Sequence, residues 1–187
     1  MKKTVIILGS IIAIILFANF VLPKIIGIPI AYHNSKKIWE KPIETIENDT
    51  IGFPKQIGYV NDFENVFTKE QISKLENLIR DYENKTTNEI SIVTINSIEP
   101  YKDISLYTTE LANHWGIGKT EKNNGLIILF SNTIRSIRIS TGYGTEKILT
   151  DEICKRIIDK TIIPEFKKGN HYNGIENGIK ELIAKWE

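Results

Sequence analysis

Near the start of the chain, Val5 to Leu22 is an 18-residue run whose only polar side chains are Ser10 and Asn19. As a helix rising about 1.5 Å per residue it covers roughly 27 Å, close to the ~30 Å hydrocarbon core of a bilayer. It has no polar face, so it does not suit a helix half-buried on a globular core. Lys2 and Lys3 precede it and are expected to stay on the cytoplasmic side. A removed secretory signal ends in small residues. This run ends Leu16-Phe17-Ala18-Asn19-Phe20, bulky where small side chains are needed. The reading favours an uncleaved signal-anchor over a cleaved signal peptide, with one N-terminal transmembrane helix in residues 1–24. Residues 25–57 then read as an extended tether. Pro29, Pro42 and Pro54 interrupt it, and proline removes a donor and restricts its predecessor.

The rest of the chain has the composition of a folded domain. Over 187 residues, 41% are hydrophobic and 25% charged, and the net charge is +1. That balance lacks the basic excess of a dedicated nucleic-acid binder. The single cysteine, Cys154, excludes an intrachain disulfide and a zinc cluster. The charge is uneven. Residues 1–57 carry seven Lys and four acids, whereas residues 58–187 carry 17 Lys+Arg and 19 acids. A basic apolar head therefore precedes a mildly acidic body.

Hydrophobic spacing divides the body into helices and strands. Thr68 with Gln71 forms a capping box, followed by Ile72, Leu75, Leu78, Ile79 and Tyr82 at helical spacing to about Asn84. Glu89–Ile95 is β-branched and nearly alternating, as in a strand. Asp103 caps a second helix carrying Ile104, Tyr107, Leu111 and Trp115 on one stripe. Gly125–Phe130 is continuously apolar, the pattern of a central strand covered on both faces. Ser136–Ser140 alternates, and the turn at Asn132-Thr133 makes the pair a hairpin. A third helix with Ile153, Ile157 and Ile158 is expected to end near Pro164, and a fourth carries Ile175, Ile179, Leu182, Ile183 and Trp186. A short strand at Gly58–Val60 completes an α/β order, an open mixed sheet covered by helices.

Hydrolytic and nucleotide signatures are weak in this body. Gly142-Tyr143-Gly144 lies between a strand and a helix, but Lys147 replaces the third glycine of a dinucleotide loop. A glycine-rich turn needing unusual φ angles is the simpler reading. There is no phosphate-loop motif and no G-x-S-x-G elbow. Cys154 lies among apolar helix positions, and His33, His114 and His171 share no ligand spacing. Oxygen donors remain at element junctions: Asp62, Asn123, Asn124, Glu146 and Asp151. Such donors suit a hard cation such as Ca²⁺. Each alone also serves as a cap or turn former.

Six ordered blocks over residues 58–187 resemble the TPM domain. They are Gly58-Tyr59-Val60-Asn61-Asp62, Trp115-Gly116-Ile117-Gly118, Asn123-Asn124-Gly125-Leu126, the Arg138-to-Glu146 stretch with Gly142 and Gly144, Leu149-Thr150-Asp151, and Pro164, Phe166, Gly169, Tyr172 and Gly174. The resemblance implies a three-layer α/β/α sandwich with a central mixed sheet, exported and often membrane-tethered. It also implies an acidic surface pocket, with calcium binding in some members and acid phosphatase activity in plant lumenal ones. Carried over by position, the metal ligands would be Asp62, Asn124, Glu146 and Asp151, with Asp62 or Glu146 as general base in a phosphatase. Many members have Asp where Asn124 stands, so weaker calcium binding is expected here.

Three readings result. The first is a membrane-anchored, extracytoplasmic, calcium-binding interaction or maintenance module for an envelope complex, partnered by another envelope protein. The second is a metal-assisted phosphatase, and the third a ligand-free structural domain. Rich Ile, Lys and Asn usage is compatible with an AT-rich bacterial genome.

Overall fold

The computed structural model describes residues 52–187. The expected signal-anchor, and the tether as far as residue 51, lie outside the described residues. Strand β1 (Val60–Asp62) is followed by α1 (Lys69–Thr86), β2 (Glu89–Thr94), α2 (Ile104–Trp115), β3 (Gly125–Ser131) and β4 (Ser136–Thr141). Then come α3 (Tyr143–Glu146), α4 (Asp151–Ile157), a π-helical turn (Ile158–Ile162), α5 (Ile163–Phe166) and α6 (His171–Trp186).

Local chemistry sets the helix limits. The Gln71 backbone N–H donates to Thr68 Oγ1 at 3.3 Å, and the Thr68 N–H donates to Gln71 Oε1 at 2.9 Å. Two otherwise orphaned N–H groups at the start of α1 are thereby satisfied. Asp103 Oδ1 accepts from Ser105 N at 2.8 Å at the start of α2. Gly116, with φ 67°, ends that helix in the left-handed region where glycine carries no Cβ penalty.

The strands form one mixed sheet in the order β1-β2-β3-β4. The first three are parallel and β4 runs antiparallel to β3. All seven residues of β3 are buried. Alternate side chains of a strand point to opposite faces. Accordingly, Leu126, Ile128 and Phe130 join Leu75 and Ile79 of α1 and Ile175, Ile179 and Leu182 of α6 in one core. Ile127 and Leu129 join Val93, Tyr107 and Leu111 in a second core under α2. Helices therefore cover both faces, as the sequence pattern implies.

This arrangement fixes the handedness of the connections. The β1-to-β2 and β2-to-β3 crossovers step in the same direction across the sheet, yet α1 and α2 lie on opposite faces. The two crossovers therefore have opposite hands, and one is left-handed against the strong right-handed rule.

Three boundaries differ from expectation. The first strand, expected at Gly58–Val60, is Val60–Asp62, so Asp62 ends the strand rather than following it. The helix expected to stop near Pro164 continues to Phe166, because a π-helical turn precedes the proline. The wider turn changes the hydrogen-bond partners at the step where a proline ring would otherwise crowd a carbonyl. The compact unit also begins at Gly52, inside the stretch read as tether. Phe53 stacks among Tyr101, Tyr107 and His114, and Trp115 Nε1 donates to Pro54 O at 2.9 Å. The fully buried Asn61 side chain fastens the end of this strap. Its Oδ1 accepts from Ile57 N and Gly58 N, and its Nδ2 donates to Gly58 O, Ser91 Oγ and Ile92 O. Both cores lie wholly within Gly52–Glu187, which makes this unit separable.

Ile128 is completely buried at the centre of the sheet. Ile128→Ala should cost about 2–5 kcal/mol through lost transfer energy and the cavity left behind. A urea melt checks this, and a loss below about 1 kcal/mol would contradict the central place of β3.

Candidate functional site

The carboxyl end of the parallel strands gathers Asp62 and Glu64. Asp62 ends β1 beside Thr94 of β2. Its Oδ1 accepts from Thr94 Oγ1 at 2.6 Å and Val66 N at 3.0 Å, and its Oδ2 accepts from Phe67 N at 2.8 Å. The carboxylate thus folds the β1–α1 loop back onto β2. Glu64 reaches across to the β3–β4 hairpin. It accepts from Asn132 N at 2.9 Å, Thr133 N at 3.1 Å and Thr133 Oγ1 at 3.0 Å, and from Ser131 Oγ. Hydrogen bonds to an ionised acceptor are the strong kind, so both acids act as clasps between loops.

The amino end of the sheet is built by close backbone approach. Gly142 and Gly144 have no positive φ, contrary to the expected reason for their being glycine. A Cβ on Gly142 would lie 2.3 Å from Asn123 O, and one on Gly144 2.0 Å from Lys122 O. These glycines let the β4–α3 turn press against the loop that leads into β3. Gly144 N also donates to Asn123 O at 3.0 Å. Asn124 is 6% exposed and fully engaged. Its Oδ1 accepts from Lys119 N at 2.9 Å, and its Nδ2 donates to Thr87 O at 2.8 Å and Asn88 Oδ1 at 3.0 Å.

Beside Asn124 lies a charged group that sequence reasoning did not single out. The Glu89 carboxylate accepts from Gly118 N at 2.6 Å and from the Lys119 ammonium. That ammonium also lies 3.8 Å from Glu83. Glu89, then Glu83, holds the Lys119 pKa above the usual lysine value. The neighbouring Glu83 carboxylate, followed by burial, pushes the Tyr59 hydroxyl up to about 12. Tyr59, Glu83 and Glu89 border an open cavity of about 210 Å³ that Trp115 also lines. The only advance signal was the acidic start of a strand, which reads equally well as a solvated end.

The four carried-over metal ligands do not converge. Asp62 is level with Thr94 and Phe130, whereas Asn124 precedes Gly125 at the opposite end of β3. Six residues of strand separate those levels, roughly 20 Å. Glu146 lies at the amino end with Asn124, exposed, in the turn bound to Asn123. Asp151 opens α4 and forms a 3.2 Å ion pair with Arg138, whose strand position faces Leu129. Among the described residues no three His, Cys, Asp or Glu side chains form a group able to hold a metal ion. The four donors therefore do not fit one calcium coordination sphere. The two candidate bases, Asp62 and Glu146, also sit at opposite ends. Cys154 is buried, and burial followed by the nearby Asp151 charge pushes its thiol up to about 11, as suits a core residue.

The TPM domain model matches residues 60–185. The chain belongs to the TPM domain family. The matched stretch contains the mixed sheet, the glycine-built amino end and Asp62. Among solved structures, the N-terminal domain of a protein from P. gingivalis is similar at 30% identity and a TM-score of 0.62, covering 67% of this chain and 80% of that one. The BA42 protein of the psychrophilic bacterium Bizionia argentinensis is similar at 22% identity and a TM-score of 0.57, covering 66% of this chain and 86% of that one. The N-terminal domain of the cg2496 protein from Corynebacterium glutamicum shares 14% identity at a TM-score of 0.55, covering 73% and 85%. The last two show likeness of fold alone. No curated protein matches the chain.

The Asn124 amide uses both its donor and acceptor sides inside the TPM domain. Asn124→Asp would turn a carboxylate oxygen toward two acceptors, Thr87 O and Asn88 Oδ1. A buried group without its partner costs about 1–3 kcal/mol. Matched thermal melts should show that loss both in chelator and in millimolar calcium. Recovery in calcium alone would restore Asn124 to a metal site.

Proposed function

We propose that the chain is a membrane-tethered TPM domain on the extracytoplasmic side, serving as an interaction or maintenance module for an envelope complex. The observation that carries this reading is the use made of Asp62. A general base needs a free lone pair within reach of the water it activates. The Asp62 carboxylate commits three of its roughly four acceptor sites to two backbone N–H groups and one hydroxyl that hold the β1–α1 loop, and the other candidate base, Glu146, lies at the opposite end of the sheet. The Val5–Leu22 run supplies the anchor, the stretch from residue 25 to the compact unit the tether, and Lys2 and Lys3 the orientation.

The reading is tested against the phosphatase alternative by assaying the full chain on an aryl phosphate beside Asp62→Asn and Glu146→Gln. The expected result is the same background rate in all three. Loss of turnover in both variants, with unchanged melting curves, would establish the hydrolase and overturn the module.

The anchor has a test of its own. Amino-terminal sequencing of the protein recovered from the membrane fraction should begin at or near Met1. A start near Asn19 or beyond would show a removed signal.

A further inference from the structure

Among the described residues five large hydrophobic side chains stay exposed, and three of them, including the two most exposed, lie at one end of the sheet. The two most exposed large hydrophobic side chains among the described residues are Tyr143 at 80% and Ile57 at 74%, and both lie at the amino end of the sheet. Ile57 immediately precedes the turn into β1. Tyr143 follows β4, which ends at that same end because it runs antiparallel to β3. Ile148, 48% exposed, lies in the turn after α3, whose Glu146 N–H donates to Gly142 O. β1 and β4 are the two edges of the sheet. Three inter-strand spacings separate them, about 14 Å. The apolar contacts therefore stand at both edges of one end rather than at one point.

Between and beside them are exposed lysines. Lys55 belongs to the strap, Lys122 to the loop entering β3, and Lys147 to the segment between Tyr143 and Ile148. Exposed Glu121 and Glu146 at the same end keep its net charge small. Aromatic and aliphatic side chains with flanking lysines form the composition that settles in the headgroup layer of a bilayer.

We propose that this end of the domain is a lipid-facing surface, on which Ile57, Tyr143 and Ile148 enter the headgroup layer of the membrane that anchors the chain. The inference rests on the anchored reading above for its biological setting. Only 29 residues, Pro23 to Ile51, separate the apolar run from the compact unit. Even fully extended they reach about 100 Å, so the domain is confined close to the bilayer. Confinement makes the second contact intramolecular and lets a weak surface affinity prevail. Ser91, Glu89 and the cavity they border then open beside the bilayer, away from the clasped carboxyl end.

The test uses the separable unit, residues 52–187, with vesicles of phosphatidylglycerol and phosphatidylcholine. The unit should sediment with the vesicles. The combined variant Ile57→Ser, Tyr143→Ser, Ile148→Ser should reduce partitioning at least tenfold with an unchanged melting curve. Leu106 and Ile134, 52% and 38% exposed, lie toward the other end. Leu106→Ser with Ile134→Ser should leave partitioning unaltered. Four results would each overturn the proposal: no sedimentation with vesicles, a triple variant that partitions like the wild type, equal losses in both variants, or pelleting without vesicles, which would mean self-association. None of them touches the anchor, which is read independently from the amino terminus of the full chain.

Discussion

β3 has no face turned toward water, and the rest of the domain depends on that. A strand buried on both sides must be roofed twice, and one helix layer cannot do it. α1 and α6 cover Leu126, Ile128 and Phe130, while α2 covers Ile127 and Leu129. Placing consecutive crossover helices on opposite faces forces their hands to differ. The uncommon left-handed connection is thus a consequence of covering both sides of a short sheet with consecutive helices. The second core has one helix above it, and the Phe53 strap extends that roof. Asn61 ties the strap down because an amide inside a sheet must satisfy both its donor and acceptor sides.

The two ends of the sheet answer different physical demands. At the carboxyl end, loop N–H groups need acceptors, and Asp62 and Glu64 supply them. At the amino end, backbones lie too close for side chains, and Gly125, Gly142 and Gly144 make the approach feasible. A Cβ on Gly125 would fall 2.2 Å from Ile117 O. In this chain these glycines of the family motifs have a packing role. Trp115-Gly116-Ile117-Gly118 and Asn124-Gly125 interlock with the Gly142 turn through close backbone packing.

Much of this was legible in the residues. The capping box at Thr68, the Asp103 cap, the apolar run of β3 and the alternation of β4 each specify an element through a local rule, and each element is where that rule puts it. The π-helical turn was not legible, because the widening before Pro164 depends on packing against α6, where Gly174 and Gly178 leave room for Phe166 and Ile162. The scattering of the oxygen donors was legible in principle. Asp62 closes a strand and Asn124 precedes one, and helices intervene between successive strands. In a parallel sheet the loops leaving the strands gather at one end and the loops entering them at the other. Grouping the donors by loop rather than by strand end hid that separation. Asn61 and Glu64 escaped notice because a side chain's hydrogen-bond partners about thirty or more residues away leave no local pattern.

Asp62 and Glu146 lie at opposite ends of the sheet, and that separation bears on the two proposed readings differently. A hydrolase needs its acid, base and metal in one place, because reaction geometry tolerates only small displacements. An interaction module has no such requirement and can distribute weak contacts over a surface. If the amino-terminal run is an anchor, as proposed, the chain length between it and the domain would matter more for the second than for the first. A group held near a membrane meets its targets at an effective concentration set by the linker, so modest contacts suffice and a deep pocket is unnecessary. A rigid sheet with clasped loops at one end and exposed apolar side chains at the other suits that task. Its loops would not have to reorganise on contact, and little ordering entropy would oppose binding. On the proposed reading, the acids that hold the loops would contribute to binding indirectly, by keeping the opposite end in shape.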